Sequence, residues 1–146
     1  MSINSALQVF GLIKREVNLL LTSYLRAYSL GIGPKQAIML AHIQKTPKSS
    51  HAHLARATST DPAAVGRAID SLVNQGYLER EEHPSDKRQW VLLLSKKGRE
   101  LMRPINKIIS EISDDFIEPL SSKERAQFKE LLEKVHKHLE EKTAKE

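Results

Sequence analysis

Two short stretches of the chain concentrate the side chains that can do chemistry. The first is Ser59-Thr60-Asp61-Pro62-Ala63-Ala64-Val65-Gly66-Arg67. Ala63, Ala64 and Gly66 are small enough to let a backbone come close to a large partner. Arg67 can reach a guanine edge or a phosphate. Ser59 and Thr60 can hydrogen-bond phosphate oxygens at the helix entry, where the helix dipole favours an anion. Ser71 and Asn74 follow on the same face. The second stretch is His83-Pro84-Ser85-Asp86-Lys87-Arg88, a polar turn in which Ser85, Lys87 and Arg88 offer donors and positive charge. Both stretches point to a polyanion.

Other chemistries find little footing. His51-Ala52-His53 and His136-Lys137-His138 have i, i+2 spacing, which sends the two imidazoles to different sides of a helix. No metal site and no cofactor are expected. No nucleophile–base pairing and no glycine-rich phosphate loop stand out, so no enzyme is expected. The chain has no cysteine, which excludes disulfides, thiolate zinc sites and a sensing thiol.

The elements that position these stretches follow from periodicity. Phe10, Ile13, Val17, Leu20, Tyr24 and Ala27 alternate spacings of 3 and 4, which predicts one long helix from Ile3 to Ser29. Gly31 and Gly33 stop it. Pro34 opens a second helix to about Lys45. Ser49 or Ser50 can cap a short third helix, Ser50 to Ala57. Thr58-Ser59-Thr60 reads as a turn, and Asp61-Pro62 as a strong helix start. The fourth helix runs to about Gln75, burying Val65, Ile69 and Leu72, and Gly76 ends it in the left-handed conformation. Strands Tyr77–Glu82 and Gln89–Leu94 make a two-stranded hairpin across the polar turn. Ser95 can cap a fifth helix carrying Leu101, Ile105, Ile108, Ile112 and Phe116. Pro104 inside it should kink it or shift its hydrogen bonds. Ser121 and Glu124 match a capping box opening a sixth helix with Phe128, Leu131, Leu132, Val135 and Leu139.

A short helix, a turn, a second helix and a basic-tipped hairpin make a winged helix-turn-helix. The fold class expected is therefore mainly α with a small β-hairpin wing. Charge agrees with a polyanion partner. Residues 1–103 carry 15 Lys/Arg against 8 Asp/Glu, whereas residues 104–146 carry 8 against 10, within a net charge of +5. No run of about 18 apolar residues is present, so no membrane span is expected. The first residues lack a secretory layout, so a cytoplasmic protein is expected. The first, fifth and sixth helices carry more apolar surface than one small core can bury, which invites a second copy.

The wing resembles that of the MarR family of regulators. Asp86-Lys87-Arg88, then Leu92, Leu94, Ser95 and Gly98, is similar to the family's wing signature, with Ser95 in place of the usual Thr. Arg67-Ala68-Ile69-Asp70-Ser71-Leu72 and Gly76-Tyr77-Leu78-Glu79-Arg80 resemble its recognition helix and following strand. The resemblance implies a two-fold dimer on a pseudo-palindromic operator, with recognition helices about 34 Å apart. It implies that the wing enters the minor groove with Arg88 inserted, and that Asp86 pairs with Arg88 or Lys87 to shape the turn. Residues 1–33 and 99–146 would be dimerisation helices, and residues 34–98 the DNA-binding domain. The resemblance also implies a repressor released by a small anionic aromatic or phenolic effector, with Arg15, Val17, Tyr24, Ile38 and His42 as candidate lining residues. Lack of cysteine removes an oxidation-sensing role. A winged-helix module that binds protein, or an activator without an effector, is the alternative.

Overall fold

The computed structural model describes residues 3–144. Met1, Ser2, Lys145 and Glu146, the extremities of the two expected dimerisation segments, lie outside the described residues. The elements run α1 (Ile3–Ala27), α2 (Pro34–Lys45), β1 (Ser49–Ser50), α3 (His51–Ala57), α4 (Pro62–Asn74), β2 (Leu78–Glu82), β3 (Trp90–Leu94), α5 (Lys96–Ile117) and α6 (Ser122–Thr143). The chain divides into two compact units, Met1–Ser110 and Glu111–Glu146.

In the first unit the helices and the wing share one apolar core. Met39, Leu40 and Ile43 come from α2, Leu54 from α3, and Val65, Ile69 and Leu72 from α4. Leu78, Val91, Leu92, Met102, Ile105 and Ile108 join them, and all are buried. The expected stripe of α4 is thus the observed one. On α1 the buried residues are Leu21 and Leu25. The 3-and-4 seam read from the sequence lies on other faces: Phe10 and Leu20 are exposed, Ile13, Val17 and Tyr24 half-buried. Periodicity finds a stripe but cannot say which partner covers it.

The wing differs from a simple hairpin. The sheet has three strands in the order β1-β3-β2, all antiparallel. Ser49 and Ser50 pair with Leu92 and Val91 and make β3 the central strand. A two-residue strand carries no periodicity, so the sequence could not announce it. It matters because it joins the wing to the start of α3. Ser50 is also the N-cap of α3, its hydroxyl accepting from the His53 N–H at 3.1 Å. The helix therefore begins at His51.

The strands start one residue later than the sequence suggests, at Leu78 and Trp90. Tyr77 is taken by another task. Gly76 ends α4 with φ +79°, as its position predicts. The Tyr77 carbonyl then accepts from the Ser95 N–H at 3.1 Å, and the Ser95 hydroxyl donates to the Gly76 carbonyl at 2.6 Å. The same hydroxyl caps α5 by accepting from the Gly98 N–H at 2.9 Å. A Cβ on Gly98 would stand 2.1 Å from the Tyr77 oxygen. The serine and glycine of the wing signature are therefore structural: they let α5 start in contact with the chain leaving α4. The α-helix continues past Pro104 to Ile117.

In the second unit, Ser121 and Glu124 form the expected capping box, with the Ser121 N–H donating to Glu124 Oε2 at 2.8 Å. The rings of Phe116 and Phe128 lie 5.8 Å apart. Leu131, Leu132, Val135 and Leu139 are exposed along α6. Among the described residues no helix is long and apolar enough to cross a membrane.

Gly98→Ala forces its methyl into a backbone carbonyl that cannot retreat without moving the wing. It should lower stability by about 1–3 kcal/mol or more, as overpacking does. Denaturant unfolding measures this; an unchanged midpoint would mean that α5 does not begin against Tyr77.

Candidate nucleic-acid interface

α4 is held at both ends and along its back. At its start Asp61 accepts from the Ala63 N–H at 3.1 Å and the Ala64 N–H at 2.9 Å. These two hydrogen bonds, Ala64's the stronger influence, keep the Asp61 carboxyl below the usual carboxylate range, and the charges of Arg67 and Lys35 add to the effect. The helix N-terminus is thus already occupied by an anion of its own. Positive attraction at this face therefore falls to side chains.

Along its back, α4 is fastened to α2 and the wing. The Ser71 hydroxyl, half-buried, accepts from Gln36 Nε2 at 3.2 Å and from Gln75 Nε2 at 3.0 Å. Ser71, a candidate contact residue, thus serves the framework on the α2 side. Asp70 and Arg80 form an ion pair that joins α4 to β2. Lys48 and Glu81 approach to 3.7 Å. Burial lowers the His51 pKa, as does the charge of Arg80, while Asp70 opposes them. Sequence reasoning did not assign Asp70 and Arg80 this role. The usable signal was Arg80's position two residues after buried Leu78, which puts it on the helix-facing side of the strand.

The outer face of α4 stays open. Ala63 is exposed and Ala64 half-buried, and a Cβ built on Gly66 would meet nothing within 4 Å. Arg67 is exposed and has no ion pair among the described residues. Ser59 occupies the left-handed region, φ 47°, at an exposed corner of the turn before α4. The Thr60 hydroxyl donates to the Thr58 carbonyl at 3.1 Å.

The wing tip is organised by Asp86, through backbone rather than through a salt bridge. Its carboxylate accepts from the Arg88 N–H at 3.0 Å and from the Gln89 side-chain amide at 3.3 Å. The Ser85 N–H donates to His83 Nδ1 at 3.1 Å. Ser85, Lys87 and Arg88 are exposed, and neither cation has an ion pair among the described residues.

The five candidate effector residues are more scattered. Arg15 pairs with its neighbour Glu16 at 2.5 Å, both exposed. Val17, Tyr24 and His42 are half-buried and Ile38 is 37% exposed. Burial lowers the His42 pKa, and the charges of Lys45 and His53 add to it. A shallow pocket of about 310 Å³ lies at the α1–α2 corner, where Leu25, Ile32, Pro34 and Arg26 contribute to its walls. None of the five candidates lines it.

A short helix, a turn, an open-faced second helix and a sheet with a cationic tip define a winged helix-turn-helix protein. The sequence model described as "MarR family" matches residues 30–89. The HTH-type transcriptional regulator BilQ of Clostridium symbiosum is 30% identical over 107 residues, covering 73% of this chain and 74% of that one. A mutant MarR from E. coli, solved in complex with operator DNA, superposes with a TM-score of 0.75 at 26% identity, covering 88% of this chain and 91% of that one. A MarR transcriptional regulator from Methanosarcina mazei shares the fold with a TM-score of 0.84 at 21% identity, covering 92% and 96%. The chain belongs to the MarR family of transcriptional regulators, which are not enzymes.

The Asp61 cap predicts a specific pH dependence. Its carboxyl is depressed in the folded state, so its stabilisation is present at neutral pH and is lost as pH falls through the folded value. Asp61→Ala should lower Tm at neutral pH, and its gap to the wild type should close under acid. Asp61→Asn keeps an acceptor and should lie between them. Parallel melting curves at every pH would contradict the role of the cap.

Proposed function

We propose that this chain is a homodimeric, sequence-specific duplex-DNA-binding repressor acting in the cytoplasm. α4 enters the major groove, and Ala63, Ala64 and Gly66 let its backbone approach. Arg67 reaches a base edge there, while Ser59 meets a flanking phosphate and Thr60 does so by turning its hydroxyl away from the Thr58 carbonyl. The wing places Lys87 and Arg88 in the adjacent minor groove, with Ser85 at its rim. The observation that carries this reading is the state of the cations: Arg67, Lys87 and Arg88 are all exposed and lack ion pairs among the described residues, on the two elements a duplex would meet.

The dimer rests on apolar faces. Leu7, Phe10 and Leu20 on α1, and Leu131, Val135 and Leu139 on α6, are exposed in the single chain. Residues 1–33 and 99–146 covering each other across a two-fold axis would bury them, leaving residues 34–98 to address a pseudo-palindromic site.

We assign release from DNA to a small anionic aromatic or phenolic effector. The α1–α2 corner supports this, since a guanidinium beside apolar walls suits an aromatic acid and about 310 Å³ admits a small one. An aromatic carboxylate should shift the duplex titration midpoint, and Arg26→Ala should abolish the shift. An unmoved midpoint at saturating acid would remove the effector from the account.

The DNA reading is tested at two residues. Arg67→Ala should cost about 1–3 kcal/mol on the specific site and less on random duplex. Arg88→Ala should weaken both while leaving Tm unchanged. Gel shifts measure both variants; wild-type affinity in Arg88→Ala would refute the wing assignment.

A further inference from the structure

The wing carries a side chain that neither its core nor its charged tip employs. Trp90, the single tryptophan of the 146 residues, is 47% exposed at the start of β3. Its face is fixed by register. Trp90, Leu92 and Leu94 alternate onto one side of the central strand, opposite Glu82, Arg80 and Leu78 of β2. Leu78 and Leu92 on that side are buried, and Arg80 reaches Asp70 of α4. Val91 on the opposite side is buried as well, so burial alone does not pick the face; the Arg80–Asp70 pair marks this side as the one toward α4. Trp90 is the last residue of this side toward the tip, where the core has run out. The indole stands on the inner side of the wing, two residues from Arg88.

A half-exposed indole leaves much apolar surface in water, and tryptophan is among the residues that gain most from covering such surface at interfaces. A duplex strand running from α4 to the wing tip would cross this position. Glu82 stands directly opposite Trp90 in the register, and its carboxylate disfavours a phosphate there. The apolar deoxyribose face is the part of a strand that fits beside a carboxylate and against a ring.

We propose that Trp90 is a further DNA contact, packing its ring on a deoxyribose of the strand between the recognition helix and the wing tip. The proposal rests on the duplex-binding reading above and adds an uncharged contact to it. Such a contact is indifferent to base sequence and releases no counterion. Its loss should lower affinity without changing the slope of affinity against salt.

The experiment uses the full chain and fluorescein-labelled duplexes, following anisotropy for binding and indole emission for Trp90. Binding should shift the emission to the blue and protect it from acrylamide along the same curve as the anisotropy. Trp90→Ala should bind specific and random duplex about three- to tenfold more weakly, with Tm and salt slope unchanged, and Trp90→Phe should recover most of the loss. Anisotropy that rises while emission and quenching stay constant, or wild-type affinity in Trp90→Ala, would overturn the Trp90 contact and leave duplex binding intact. No rise in anisotropy at low salt would overturn both.

Discussion

The close approach of the first turn of α5 to the carbonyls of Gly76 and Tyr77 is the constraint on which the rest of the geometry of α4 and the wing depends. Three elements meet there: the end of α4, the start of the wing and the start of α5. The Ser95 hydroxyl donates to one carbonyl and accepts from the Gly98 N–H, so a single buried side chain serves two elements at once. Lys97 adds a bond to the Gln75 carbonyl at 2.7 Å. The carbonyls of the chain leaving α4, those of Gln75, Gly76 and Tyr77, are thereby satisfied by protein donors. Because Gly98 has no Cβ, the helix can sit this close, and the wing leaves α4 in a set direction.

From that junction outward, charge is sorted by what it binds. Asp61 and Asp86 spend their carboxylates on backbone N–H groups, at the start of α4 and at the wing tip. Asp70 is matched by Arg80. An anion used in this way organises the chain while its field is partly spent locally. Exposed ion pairs of this kind contribute only about 0–1 kcal/mol, so their value lies in orientation. Arg67, Lys87 and Arg88 are left outward and without ion pairs among the described residues, which is the state that the proposed duplex contact requires.

Much of this was legible in the residues, for identifiable reasons. Caps are local: Asp61-Pro62, Gly76, Ser95 and the Ser121/Glu124 box depend on a few neighbouring atoms, and each is where the sequence places it. The α4 stripe was legible because one periodicity met one core. Non-local features were not. The two-residue β1 exists through its pairing with β3, and the Asp70–Arg80 pair joins residues ten apart across a turn. On α1 several apolar faces compete, and the sequence seam is not the one that the single chain buries. Ser71 shows the same limit: a helical wheel puts it beside Arg67, whereas Gln36 and Gln75 claim its hydroxyl.

The central claim is electrostatic, that this scaffold presents unmatched cations to a polyanion. It is tested most directly by the affinity of the unmodified protein for duplex DNA as a function of salt concentration. The account predicts a steep linear fall of log affinity with log salt, with a slope reflecting several phosphate contacts per bound assembly. A flat dependence, or no association at low salt, would contradict it.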